Sequence, residues 1–410
     1  ILLRETPSSF LPLSGQGPMT SSAASTTCHC CRDLEDLTLL PIAGFHELWR
    51  VSSDCQPIPP GGELAVCGRC SAVQKPLTLQ WQQLVDRIYR DYQIYHQSGG
   101  TEQVVFNPQT GQAAGRSVTL LSKLTQPLAL PQTGRMLDVG CGNGALLAAM
   151  GILFPQWRLV GTELSDQHQK SIESLPGVEA FHAGPAQETP GRFDLVTLIH
   201  VLEHIPHPAA FLASLRDKLQ PQGRLLIEVP DHQRNPFDLL IADHSSHFSP
   251  QVLRRVMQQA ELQVQLLERE IVPKELTAAG TLCTQSDPRD KSDVSVSADD
   301  ALQDVTRRVD WLRAFAQQSQ TLATRRPVGI FGTSIAGTWL GSTLGDRAAF
   351  FVDEDPSRHG RTFMGRPILA PSDPRCLESP VILALPDWLV QNVATRLRET
   401  KIDWVLPPMM

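Results

Sequence analysis

The stretch Asp138-Val-Gly140-Cys-Gly142-Asn-Gly144 has the residue types and spacing that point most directly to chemistry. Glycine at every second position after an acid lets the backbone turn tightly and come close to a ligand, because no Cβ intervenes. A second acid, Glu163, ends the run Trp157-Arg-Leu-Val-Gly-Thr. A carboxylate at the tip of the next strand, about 20 residues on, is placed to accept hydrogen bonds from the ribose hydroxyls of a nucleotide. Histidines follow in two places, His200-Val-Leu-Glu203-His204 and His244-Ser-Ser-His247. Imidazole at a strand end of an open α/β sheet can take or give a proton near neutral pH. A single loop histidine is ordinarily a surface group, and it is the clustering beside a nucleotide loop that makes these candidates. Finally, Cys28, Cys31, Cys67 and Cys70 form two C-x-x-C knuckles. Four thiolates so spaced suit the tetrahedral preference of Zn²⁺, and a site filled by four protein ligands is structural. Cys30 and Cys55 are spare thiols that could replace one ligand; unligated knuckles or a redox pair are the alternative reading.

The elements that must position these residues are legible around them. The glycine turn lies between an apolar strand and the helix former run 145–150. Further strands are predicted at 157–163, 193–200 and 223–230, and a helix at 251–260, capped by Ser249 with Pro250 at its start. Near the C-terminus, 328–337 repeats the strand–glycine–helix pattern, 348–353 repeats the strand ending in an acid, and 381–386 reads as a third strand. The spacing from Gly332 to Gly337 differs from that of the first turn. It is expected to shape a substrate pocket or pack the fold rather than bind a second nucleotide. Apolar residues at helical spacing (Val305, Val309, Leu312, Phe315) predict a connecting helix after a Ser- and Asp-rich stretch. The chain's three tyrosines, Tyr89, Tyr92 and Tyr95, share one face of a helix ahead of the glycine turn. They read either as core packing or as a lid with phenols over the ligand.

These elements predict an α/β protein in parts. Residues 1–27 are a disordered or vector-derived leader, 28–75 a zinc-binding module, and 76–130 a helical lid or linker. Residues 131–283 are the nucleotide-binding domain, 284–326 a polar loop and connecting helix, and 327–410 a second Rossmann-like α/β domain. A net charge of −7 disfavours a nucleic-acid surface, and no basic, aromatic-studded stretch lies beside the cysteines. No apolar run approaches the roughly 18 residues of a membrane span. The N-terminus lacks the basic start and apolar core of a signal peptide, and nine cysteines are an odd count for a disulfide framework, so a cytoplasmic enzyme is expected. Oligomeric state is not indicated.

The D-x-G-x-G-x-G turn of Asp138, Gly140, Gly142 and Gly144, with Glu163 after the second strand, resembles the class I S-adenosylmethionine (SAM) methyltransferases. A dinucleotide dehydrogenase would space its last two glycines by two residues; here there is one. The resemblance implies the SAM methyltransferase Rossmann-like fold, with SAM held by these five residues and by His200. Over roughly 28–405 the arrangement of knuckles, Tyr-x-x-Tyr-x-x-Ser segment, SAM domain and C-terminal domain is similar to the nucleotide-sugar C-methyltransferases, the tetronitrose type above all. Their segment F-D-x-x-Y-H-x-H-x-x-x-F-S is matched here by Phe237, Asp238, Ile241, Ala242, His244, Phe248 and Ser249. The resemblance places the base on His244 and another sugar-facing histidine on His204. Tyr92, Tyr95 and His204 are the options for stabilising an oxyanion. Ile241 and Ala242 depart from the pattern, where an aromatic hydroxyl and a histidine usually hold substrate and polarise its keto oxygen. The implied reaction is C-methylation of a nucleotide-linked ketosugar or related small acceptor. The alternatives are an O- or N-methyltransferase on another small acceptor, and a scaffold that binds SAM without catalysis.

Overall fold

The computed structural model describes residues 28–31, 39–92, 102, 104–106, 112–283 and 297–410. Its centre is a seven-stranded sheet built from β1 (Arg135–Val139), β2 (Arg158–Glu163), β3 (Val178–Ala183), β4 (Phe193–Ile199), β5 (Leu219–Pro230), β6 (Leu262–Glu268) and β7 (Glu275–Leu282). The order across the sheet is β3-β2-β1-β4-β5-β7-β6. The first five strands run parallel, while β7 is antiparallel to both β5 and β6. Strands buried on both faces read as continuous apolar runs, as in Phe193–Ile199, which is why these were visible in the sequence. The chain reverses direction across the sheet between β1 and β4, and ligands in such sheets bind outside the carboxyl ends of the strands at that point. The glycine turn leaves β1 there, and His200 leaves β4 there.

Helix α1 spans Leu79–Arg90, with Thr78 accepting from the Trp81 amide as its cap, and α2 spans Arg116–Leu124. Leu120, Leu121 and Leu124 of α2 share a core with Met136 of β1 and with Leu146, Leu147 and Met150 of α3 (Ala145–Leu153). This helix, placed with the linker on sequence, thus belongs to the central layer, whose packing begins before residue 131. Between α1 and α2 the described residues form a small hairpin of Val104–Phe106 and Ala113–Gly115. Helix α4 (Gln169–Glu173) follows β2, α5 (Pro208–Ser214) follows β4, and α6 (Pro250–Gln259) starts on the cap from Ser249 to the Val252 amide.

A long helix, α7 (Ala298–Ala323), leads into the C-terminal layer. There β8 (Val328–Phe331), α8 (Ile335–Leu344), β9 (Ala348–Val352), β10 (Thr362–Phe363), β11 (Arg366–Leu369), β12 (Val381–Leu383), α9 (Asp387–Arg396) and β13 (Trp404–Val405) form a second α/β unit. Its sheet order is β10-β11-β9-β8-β12-β13, parallel except at the β10–β11 edge. The cysteine module contributes a small antiparallel sheet of Leu39–Pro41, Ala65–Cys67 and Val73–Gln74, completed by Ser246–His247 from the loop after β5. One apolar core joins Phe45, Val66 and Val73 of that module to Phe237, Leu239 and Leu240 of the loop and to Phe315 and Trp339 of α7 and α8. The histidine loop is therefore clamped from two sides.

Candidate active site and metal centre

Gly140, Gly142 and Gly144 have φ of 67°, 54° and 85°, the left-handed region that glycine enters without steric cost. A Cβ on Gly140 would lie 2.6 Å from Val201 Cγ2, so the turn is packed as tightly as its spacing requires. Asp138 is buried beneath it and accepts from Thr197 Oγ1 at 2.6 Å. Burial pushes its carboxyl up to about 7; the Thr197 bond opposes this and the charge of Glu163 adds to it. Asp138 is thus the support of the turn. Glu163 stands at the rim, half-buried, with amides of Gly142 (3.2 Å) and Leu164 (2.8 Å) donating to its two oxygens. These bonds fix the carboxylate where a ribose would lie.

The turn opens into a cavity of about 1630 Å³. Asp138, Gly140, Gly142 and Glu163 line it, together with His200, His204, His244 and Tyr92, and with Thr333, Arg358 and Arg396 of the C-terminal layer. Of the sequence candidates, Tyr95 lies outside the described residues, Gly144 caps α3 just behind the turn, His247 lies behind the cavity wall, and the others are brought to this cavity or to the cysteine cluster. Tyr92 stacks on Tyr89 (ring centroids 5.6 Å apart), and Tyr89 meets the His204 ring edge-on at 6.1 Å.

His244 is the most constrained group. Its Nδ1 is 2.8 Å from Asp238 Oδ1, and its ring packs edge-on against His204 with centroids 4.6 Å apart. Asp238 also takes His247 Nδ1 on its other oxygen, at 2.7 Å. Burial alone would raise the Asp238 carboxyl, but the two imidazoles together hold it well below the usual carboxylate range. His247 lies behind the cavity wall, almost wholly buried, against Lys75 Nζ at 2.8 Å. His204 Nδ1 faces the Asp243 carbonyl at 3.3 Å, and burial, with His244 beside it, pulls His204 down to about 4. Asp243 in turn accepts from the Ser53 amide and hydroxyl, at 2.8 and 2.6 Å.

His200 has φ of 55° and is held from two sides. Glu203 Oε1 lies 3.0 Å from its Nδ1, and Arg116 contacts its Nε2. Arg116 also donates to Glu228 Oε1 from Nε (2.9 Å) and Nη2 (2.8 Å) and lies 3.3 Å from Glu275. Burial first, and the guanidinium second, pull His200 well below the usual imidazole range. Asp238, Arg116, Glu203 and Glu228 were not among the sequence candidates as working groups. Asp238 stood inside the matched F-D pattern; the others had no local signal, since Arg116 and Glu228 are 112 positions apart.

The departures at Ile241 and Ala242 have a physical setting. The Ala242 side chain packs on Leu84 and Ile88 of α1, its carbonyl accepts from Trp81 Nε1 at 2.9 Å, and the Ile241 carbonyl accepts from Lys75. In the C-terminal layer, Asp353, the acid after β9, is consumed internally. The Thr333 amide and hydroxyl reach its Oδ2 at 3.1 and 2.6 Å, the Asp355 amide its Oδ1 at 3.0 Å, and Arg358 its Oδ2 at 3.1 Å. Asp353 is buried and each of its oxygens already accepts a hydrogen bond, whereas Glu163 stands half-exposed at the rim.

The four cysteine sulfurs lie within 4.8 Å of one another, with Cys28–Cys70 at 3.5 Å and Cys31–Cys67 at 3.6 Å. All four are buried, and the amides of Cys30, Arg69 and Cys70 point at the Cys28 and Cys67 sulfurs. This donor set fits a tetrahedral Zn²⁺. Cys30 lies outside the four-sulfur set, its Sγ 3.7 Å from Ser246 Oγ, and Cys55 sits against the C-terminal layer, its carbonyl accepting from Thr338.

Residues 113–267 match the family model described as "Methyltransferase domain". The chain is 32% identical over 130 residues to the ubiquinone biosynthesis O-methyltransferase of Bordetella bronchiseptica, covering 30% of this chain and 52% of that protein. It is 35% identical over 100 residues to the mitochondrial enzyme of that name from Schizosaccharomyces pombe, covering 23% and 36%. The chain thus spans about half the length, or less, of these curated relatives. Solved structures with a related fold include a methyltransferase of calicheamicin biosynthesis in its SAH-bound form (TM-score 0.34, 19% identity, 41% of this chain and 54% of that one). Human N-acetylserotonin methyltransferase in complex with SAM is another (TM-score 0.35, 15% identity, 41% and 52%). The middle of the chain is a methyltransferase domain of Rossmann-like α/β fold.

Proposed function

We propose that this protein is a SAM-dependent methyltransferase that methylates a carbon beside a ketone on a small acceptor, a nucleotide-linked ketosugar or a close relative. The observation that carries the proposal is His244. Asp238 holds its Nδ1, and the ring lines the same cavity as the glycine turn and Glu163. A base oriented by a carboxylate, with its other nitrogen left for the substrate, is the arrangement general-base catalysis needs. SAM supplies an electrophilic methyl group that requires alignment rather than activation. Gly140, Gly142, Gly144 and Glu163 would hold it. His244 Nε2 takes the acceptor's α proton, and the Asp238 carboxylate stabilises the imidazolium that results. Tyr92 lines the cavity beside His244 and is the candidate donor to a developing oxyanion, since His204, with Nδ1 on the Asp243 carbonyl and pulled down to about 4, presents only a lone pair on Nε2. With Ile241 and Ala242 apolar, no side chain at those positions can do this work. Glu203 has a buried Oε2 without a hydrogen-bond partner, and burial raises its carboxyl well above its usual range.

A structural Zn²⁺ on Cys28, Cys31, Cys67 and Cys70 staples the module that pairs with the Ser246–His247 strand. A second reading, O-methylation with His244 deprotonating a hydroxyl, is favoured by the names of the curated relatives. Incubation with ¹³C-methyl SAM and a pool of nucleotide sugars distinguishes the two. A product whose new methyl is bonded to carbon supports the first reading, and a methyl on oxygen supports the second. No transfer to any acceptor, with tight SAM binding intact, would leave a SAM-binding scaffold.

A further inference from the structure

Lys75 is one of the largest fully buried side chains of the described residues, and it lies at the end of the cysteine module rather than in the methyltransferase domain. Backbone pairing brings it to the histidine loop. Val73 pairs with His247 and Gln74 with Ser246, and the Lys75 amide donates to the Ser245 carbonyl at 3.0 Å. Its Nζ has three neighbours: the Ile241 carbonyl at 2.5 Å, the Leu239 carbonyl at 3.3 Å and His247 Nε2 at 2.8 Å.

An ammonium has three N–H donors and no acceptor. Two of its neighbours are carbonyl oxygens, which only accept. The third is His247 Nε2, and because His247 Nδ1 faces the Asp238 carboxylate the His247 proton sits on Nδ1 and Nε2 accepts from Lys75. That N–H donates to Asp238 Oδ2, and His244 Nδ1–H donates to Asp238 Oδ1. The His244 lone pair is left on Nε2. If His247 carried its proton on Nε2 instead, its bare Nδ1 would face a carboxylate oxygen at 2.7 Å, acceptor against acceptor.

We propose that Lys75 is a positioning residue for the base: through His247 and Asp238 it fixes the tautomer in which His244 presents an unprotonated Nε2 to the substrate. This rests on the reading of His244 as the base and adds a residue of the cysteine module to that machinery. Burial first, and the charge of Lys75 second, keep a second proton off His247, so that Asp238 remains free to support an imidazolium at His244. Burial pulls the Lys75 ammonium down to about 7; of the charged groups that bear on it, Asp238 and Asp243 favour its cation and Arg50 opposes it. Those that bear on His247 are Lys75, Asp238 and His244.

The test is ¹⁵N–¹H spectroscopy of the histidine-labelled full chain, wild type and Lys75→Met, with His247 assigned through His247→Gln. In the wild type His247 should carry one proton, on Nδ1, and should not titrate between about pH 5 and 8. In Lys75→Met its midpoint should rise by about one pH unit or more, with SAM affinity by calorimetry reporting that the fold is kept. A wild-type His247 protonated on Nε2 overturns the proposal even if the variant does not fold. So does an unchanged midpoint in a folded Lys75→Met. Neither measurement needs an acceptor, so the failure of methyl transfer and the failure of the relay are separate outcomes.

Discussion

Glu163 and Asp138 are both acids at the glycine turn, and their settings give them different work. Glu163 is held at the rim by two amides with its outer face open, whereas Asp138 is buried under the turn. Glu163→Ala removes a charge-assisted acceptor for ribose and should weaken SAM binding by about 1.5–3 kcal/mol, measured by calorimetry. Unchanged affinity would contradict the placement of SAM. Asp138 gives a pH signature without SAM. Its carboxyl is pushed up to about 7 in the folded chain, chiefly by burial, so between its unfolded value near 4 and pH 7 the folded state holds more of the proton. Stability from this group is present below about pH 4 and is lost as pH rises to 7. Asparagine does not titrate, so the melting-temperature advantage of Asp138→Asn over wild type should grow from pH 4 to 7 and then level off. A gap independent of pH would show that Asp138 is not buried as described.

At the scale of elements, the two knuckles form a closed four-sulfur cluster that is expected to hold one zinc. Its role reaches further than its own module, because the strand Val73–Gln74 that follows Cys70 pairs with Ser246–His247. Zinc removal by a chelator should unfold the module, since metal affinity there is folding free energy, while the seven-stranded sheet persists. Circular dichroism and metal analysis read this; protein purified without chelator and free of zinc would contradict it. The glycine turn, the strand–helix alternation and the cysteine spacing were readable in the sequence, because each is a local pattern with a local cause. The cap at Ser249 and the apolar stripe of α7 were readable for the same reason. What was not readable is what folding brings together across the chain. Lys75 meets His247 from 172 positions away and Arg116 meets Glu228 from 112, and no periodicity or motif records either pair. His247 matched no working position, yet it shares Asp238 with the candidate base. The placement of α2 failed for a related reason, since its leucines fit a linker helix and a sheet-packing helix equally well.

Over the whole molecule, three parts of the chain meet at one loop. Phe237 packs on Trp311, Phe315 and Trp339, which lie on α7 and α8. Lys75 and Val73 reach the same loop from the cysteine module, and the central sheet supplies the glycine turn opposite it. The C-terminal layer closes the cavity with a strand–glycine turn of its own, whose acid is already occupied by Thr333 and Arg358. Under the proposed function, SAM would lie at the central sheet and the acceptor in the space between the two sheets, with the base on the loop they jointly hold. The most direct test is single-turnover transfer of the methyl group from SAM to the acceptor by wild type and His244→Ala, each first shown to bind SAM with equal affinity. The account predicts a loss of roughly 10²–10⁴-fold in the variant, the usual size of a general-base contribution. Transfer at the wild-type rate by His244→Ala would contradict it.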